Sequence, residues 1–227
     1  MWPLSYLEES KLKTESSSGS YISDGMDWIY LWMRVVLTGY GRFGGVDENP
    51  TEMIIRALLD KCANVDHLEV LDVSVDCVSQ FHDRVDCCED TLYVHLGVHG
   101  DTKCMLLEKY AYNNMTFRIP DQAGFCPAGQ CIDDNAPLDT VLQTEIDIEK
   151  VIDRLTAENF TVRISTDPGR FLCNYVYYQS LRHLTCRGHK GLAVFVHVPP
   201  VQNMSIDDQI IFVERCIDIM KDIASNK

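Results

Sequence analysis

Three runs of this chain, Arg34–Thr38, Leu92–Val98 and Ala193–Val198, are short, rich in β-branched residues and almost continuously apolar. A strand of that kind has to be covered on both faces, which is the position of a central strand in a parallel sheet flanked by helices. The intervening sequence supplies the helices. Pro50 suits a helix start, and Met53, Ile54, Ala57, Leu58 and Cys62 follow at helical spacing. Val78–Val85 reads as a short helix, Thr140–Leu155 as a longer one with a broken start, Phe171–Leu184 as another, and Ile206–Ala224 as a terminal helix. Leu68–Val75 and Phe160–Ser165 add two more strands. Strands followed by helices imply βα units with right-handed crossovers, an α/β domain built on a mostly parallel twisted sheet. In such a sheet, active groups gather beyond the carboxyl ends of the strands.

The 227 residues suffice for one such domain. Residues 8–25 are rich in Ser, Glu, Lys and Gly, so residues 1–33 are expected to be a poorly ordered extension and 34–227 the domain. Twenty basic against 34 acidic residues give a formal charge of −14 with no basic tract, which argues against a nucleic-acid partner. The apolar stretch Met26–Met33 is too short for a bilayer and contains Asp27, and the first residues lack the pattern of a signal peptide. A cytoplasmic protein with no membrane partner is expected, its ten cysteines reduced. Cys87-Cys88 and Cys126-x4-Cys131 do not form paired zinc knuckles, so no metal is expected.

Chemistry concentrates in two segments. Ser165-Thr166-Asp167-Pro168-Gly169-Arg170-Phe171-Leu172-Cys173 takes a strand through a glycine turn to a cysteine at a helix start. There the helix N-terminus favours a thiolate and free N–H groups can bind an oxyanion. Val194–Pro200 ends a strand at His197, a candidate general base. From position alone, each is open to a plainer reading: a structural cysteine and a strand-end histidine. His99 lies next to a strand end and could approach the same site, and His95 reads as a packed core group. A third group should orient the histidine. Glu108, beside the apolar Met105–Leu107, is available, although a solvent-facing acid is its simplest reading. Gly39-x-Gly41-x-x-Gly44 has dinucleotide-loop spacing, but Tyr40 and Phe43 within it would crowd a pyrophosphate and suit a small flat group better.

These pieces, in this order, resemble the pyroglutamyl-peptidase I family of cysteine peptidases, most of all its vertebrate pyroglutamyl-peptidase I-like members. The matching motifs are Thr38–Gly44, Val94–Gly100, Leu107–Asn113, Phe125–Pro127, Asp167–Cys173 and Phe195–Pro200, within a likeness spanning roughly Arg34 to Ala224. The resemblance implies a single-domain three-layer α/β/α sandwich. It also implies an omega peptidase that cleaves N-terminal pyroglutamate from peptides with a Glu108–Cys173–His197 triad, with Tyr40 and Phe43 flanking the lactam. It implies no cofactor; a monomer or weak homo-oligomer is expected. Arg42 in place of the family's usual proline, Pro168 in place of a common alanine, and the altered Ser74–Cys77 segment keep a second class open. That class is a weak or inactive relative serving as a binding or regulatory protein.

Overall fold

The computed structural model describes residues 33–44, 48–59, 61, 64–85, 90–187 and 191–225. The expected extension, apart from Met33, lies outside them, as do Cys62, Cys87 and Cys88. In chain order the elements are β1 (Arg34–Tyr40), α1 (Pro50–Leu59), β2 (His67–Leu71), α2 (Val75–Arg84), β3 (Thr91–Val98), β4 (Met105–Glu108), β5 (Tyr110–Tyr112), β6 (Met115–Thr116), β7 (Ala128–Gln130), β8 (Val141–Gln143), α3 (Ile148–Ala157), β9 (Val162–Ser165), α4 (Leu172–Arg187), β10 (Leu192–Val198) and α5 (Ile206–Ser225). Six strands form the central sheet in the order β2-β1-β3-β10-β4-β9. Every pairing is parallel except β10 with β4. The mostly parallel α/β expectation therefore holds, with β4 and β9 running against the other four strands.

Strand alternation sorts the layers, because successive side chains leave a strand on opposite faces. Val35, Leu37, Leu92, Val94, Leu96, Val194, Val196, Met105 and Leu107 share one core with α1, α3 and α5. Val36, Tyr93, Ala193 and Phe195 share the other with α2 and α4. Met33 is buried in the first core.

Two local expectations need correction. The stretch Thr140–Leu155 is not one helix. Val141–Gln143 pairs antiparallel with β5. Thr144 Oγ1 donates to the Ala193 carbonyl at 2.6 Å, and α3 starts only after Asp147, whose carboxylate caps Lys150 N at 3.1 Å. The strand expected over Leu68–Val75 stops at Leu71, because Ser74 caps Cys77 N at 3.2 Å and opens α2 three residues earlier than its apolar spacing suggests. Met105–Glu108 forms a further strand, and its four residues are too few to show a period in the sequence.

The α2–α4 side carries a buried polar chain whose direction is forced. His82 Nδ1 lies 3.0 Å from the Val78 carbonyl and must donate to it. His82 Nε2 therefore accepts from Ser180 Oγ (2.8 Å), Ser180 Oγ accepts from His95 Nε2 (2.8 Å), and His95 Nδ1 accepts from Thr38 Oγ1 (2.7 Å). Burial lowers His82 from 6.5 to about 4 and holds His95 well below the usual imidazole range. In the unfolded chain both rings take up a proton near pH 6.5, so the unfolded state binds more protons below that pH. Stability should fall as pH drops from 6.5 towards 4, with His82 contributing about 1–3 kcal/mol. Urea midpoints at pH 7, 5.5 and 4.5 check this. His82→Gln should flatten the decline, and an identical slope in that variant would contradict the assignment.

Candidate active site

Because β10 and β3 alternate in register, Phe195 and His197 project to the α4 side, as do His95 and Gly97; His197 stands opposite Gly97. On β4, Met105 and Leu107 face the other core, which turns Glu108 to the α4 side as well. Glu108, for which the residues alone left a solvent-facing reading open, is 0% exposed. Its Oε1 accepts from His197 Nδ1 at 2.7 Å, an ion-pair geometry enclosed by protein. With Nδ1–H committed to the carboxylate, Nε2 is left as the acceptor of a proton.

Cys173 is the second residue of α4 and faces the same region. A Cβ placed on Gly97 would lie 2.9 Å from Cys173 Sγ and 2.7 Å from Phe195 Cζ. The sulfur thus sits directly over the strand position that pairs with His197. Cys173, His197, His99, Phe171 and Gly169 all line one cavity of about 760 Å³. Burial, and then the Glu108 carboxylate, push the Cys173 thiol up to about 12. The helix start pulls the other way, as the sequence suggests, but is outweighed. Burial and the acid both favour the protonated thiol, and Cys173 and the Glu108-bonded His197 imidazole border the same cavity.

The approach to Cys173 differs from the simple strand-end picture. β9 runs opposite to β10, and Ser165 stands level with Glu108 and Phe195. Residues 166–171 must turn the chain back towards His197. Gly169, at φ +79°, takes the left-handed conformation this requires. Asp167 Oδ1 accepts from Gly169 N (3.1 Å) and Arg170 Nη1 (2.6 Å). The Arg170 guanidinium lies 3.8 Å over the Tyr112 ring, and Tyr112 Oη donates to the Thr166 carbonyl at 2.6 Å. Asn174 closes the clamp, its amide bonded in both directions to the Tyr112 backbone at 2.8 Å. Pro168 is buried in this turn and borders the cavity.

Tyr40 and Phe43 do not border this cavity. Buried Tyr40 needs a partner for its hydroxyl and donates to the Leu172 carbonyl at 2.8 Å, just before Cys173. Phe43 packs on Phe171 with ring centroids 5.3 Å apart. The side chain of Arg42 is exposed and outside the cavity, while its carbonyl accepts from Gln122 Nε2 at 2.7 Å. Among the described residues no group of three or more His, Cys, Asp or Glu could hold a metal, and no helix is long and apolar enough to cross a membrane.

Two supports escaped the sequence reading. Gly97 shares the face of Tyr93 and His95 by strand alternation, and the structure puts that face beneath α4. Tyr177, one helical turn beyond Cys173, donates from Oη to the Glu108 carbonyl at 2.9 Å and so ties the cysteine's helix to the acid's strand. Alanine at 97 should lower kcat about 10–100-fold by displacing Cys173 Sγ or Phe195. Kinetics and melting temperature together check this, and wild-type kcat would show that the close approach is not needed.

Similarity to known proteins gives the family and the fold. The family model described as pyroglutamyl peptidase matches residues 33–219. Pyroglutamyl-peptidase 1 of Rattus norvegicus is 33% identical over 182 residues, covering 78% of this chain and 83% of the relative. Pyrrolidone-carboxylate peptidase of Pyrococcus furiosus is 30% identical over 185 residues, covering 77% and 85%. The solved pyrrolidone carboxyl peptidase from Thermococcus litoralis superposes with a TM-score of 0.74 at 26% identity, covering 84% of this chain and 94% of that one. With the family model matching residues 33–219 and the Rattus norvegicus and Pyrococcus furiosus relatives at 30% identity or more over three quarters of the chain, this chain belongs to the pyroglutamyl peptidase family.

Proposed function

We propose that the chain is a cysteine omega peptidase that releases N-terminal pyroglutamate from peptides, using Cys173, His197 and Glu108. The observation that carries this reading is the enclosed 2.7 Å bond between His197 Nδ1 and Glu108, on the face where Cys173 meets Gly97. His197 Nε2 takes the thiol proton as Sγ attacks the pyroglutamyl carbonyl. A thiol pushed up to about 12 does not ionise alone near neutral pH, so transfer to His197 accompanies attack. Glu108 favours the imidazolium that forms. The C–N bond then breaks, His197 returns the proton to the departing amine, and a thioester remains on Cys173. Water adds to the thioester with His197 as base; the C–S bond breaks, pyroglutamate leaves and the thiol regains its proton.

Pyroglutamate is a flat lactam without an amino charge, whereas an ordinary charged N-terminus would lose hydration on entering an apolar site. We assign the lactam face to Phe171, which borders the cavity, with Phe43 packed against it and Tyr40 beneath as a brace on Leu172. The features that kept a non-catalytic role open leave the arrangement of Cys173, His197 and Glu108 in place: Arg42 is exposed outside the cavity, Pro168 borders the cavity but leaves the helix start intact, and Ser74 forms a regular cap.

The test is fluorophore release from a pyroglutamyl-aminocoumarin conjugate by the purified protein in reducing buffer. The expected preference over the prolyl conjugate is about 100-fold or more in kcat/KM. Equal cleavage of the two, or none of either, would overturn the proposal.

A further inference from the structure

A second imidazole stands against the first. His99 lies two residues beyond Gly97, and its backbone N–H donates to the Val198 carbonyl at 3.0 Å, carrying the β3–β10 pairing past the strand end. Its ring meets the His197 ring edge-on, with centroids 5.5 Å apart and planes at 83°. Phe195 packs on the same His197 ring at 4.8 Å and 58°. His99 Nδ1 is buried and has no hydrogen-bond partner among the described residues. A bare acceptor is tolerated there more readily than an unpaired N–H, which places the ring proton on Nε2. No bond at Nδ1 orients His99, so packing against His197 does.

That contact meets a specific need. The outer torsion of a histidine side chain is soft, with broad rather than staggered minima. The single bond from Nδ1 to Glu108 fixes one point of the His197 ring but not its plane. Nε2 must nevertheless reach first the thiol proton and then the leaving amine, and an ångström of error at such a point is costly. Phe195 and His99 supply the missing constraints.

We propose that His99 is a positioning residue: its ring holds the His197 imidazole in the plane that serves Cys173 while Nδ1 stays on Glu108. The inference rests on the catalytic reading above. The test compares wild type with His99→Ala and His99→Phe in pyroglutamyl conjugate hydrolysis, with melting temperatures in parallel. His99→Ala should lower kcat about 10-fold with KM within two-fold of wild type. His99→Phe, which keeps an aromatic edge and discards the nitrogens, should recover kcat to within about three-fold. If His99→Ala does not fold, His99→Leu takes its place as the non-aromatic variant.

Three results would overturn the proposal: unchanged kcat in the non-aromatic variant; raised KM at constant kcat in both variants, which would make His99 a substrate contact; or His99→Phe as impaired as His99→Ala. Any of these in an enzyme that is active as wild type and dead as Cys173→Ala removes only the role of His99. An active Cys173→Ala removes the catalytic reading itself.

Discussion

Alanine at position 173 should lower pyroglutamyl release by about 10⁴-fold or more, because the one atom that forms the thioester is gone. The fold should survive. The contacts that hold the helix start of Cys173 are made by its neighbours: Tyr40 on the Leu172 carbonyl, Asn174 on the Tyr112 backbone, and Tyr177 on the Glu108 carbonyl. Melting temperature should therefore stay within a few degrees of wild type. Serine is a sharper probe. It restores an acidic hydrogen of similar placement but holds it far more tightly, in a site that already holds a thiol up to about 12. Cys173→Ser should thus remain at least about 10³-fold impaired. Release at the wild-type rate by the alanine variant would sink the nucleophile assignment.

Glu108→Gln should lower kcat by about 10²–10⁴-fold with little change in KM, the pattern of a lost orienting acid. Three consequences of the structure point the same way. The amide can still accept from His197 Nδ1, but it carries no charge to favour the imidazolium. It can also present its NH₂ group, which selects the wrong imidazole tautomer. And where the amide oxygen keeps the bond from His197, the NH₂ group takes the place of Glu108 Oε2, which is buried without a hydrogen-bond partner among the described residues, and becomes an unpaired donor. A second readout moves in the opposite sense. The Glu108 carboxylate is one of the two causes that raise the Cys173 thiol. Removing it should shift the pH profile of thiol alkylation by iodoacetamide to lower pH while turnover falls. Unchanged turnover, or an alkylation profile moved upward, would count against the role assigned to Glu108.

The sequence reading succeeded where local pattern and tertiary demand coincide. β1, β3 and β10 are almost wholly apolar because both faces of each are covered, so their runs were visible without any contact being known. Cys173 and His197 were legible because each sits at the end of a regular element, beside residues that punctuate it: Gly169 before the helix, Pro199 and Pro200 after the strand. Glu108 was a different case. Its four-residue strand is too short to display a period, and its direction is set by pairing antiparallel to β10, a partner 89 positions away in the case of Glu108 and His197. Nothing near Glu108 in the chain announces that it is buried. The same holds for β8, whose helical-looking apolar residues were claimed by β5 instead.

What the amino-acid sequence determined unaided was the covering of the sheet on both faces and the kind of chemistry carried at two element ends, since apolar period and backbone punctuation are local properties. Tertiary structure alone decided that Glu108 faces His197, that Gly97 makes room for the Cys173 sulfur, that Tyr40 braces the start of the Cys173 helix, and that His99 lies against His197. Those outcomes depend on register and strand direction between distant segments, and a one-residue slip in either would turn each of these side chains to the opposite face of the sheet.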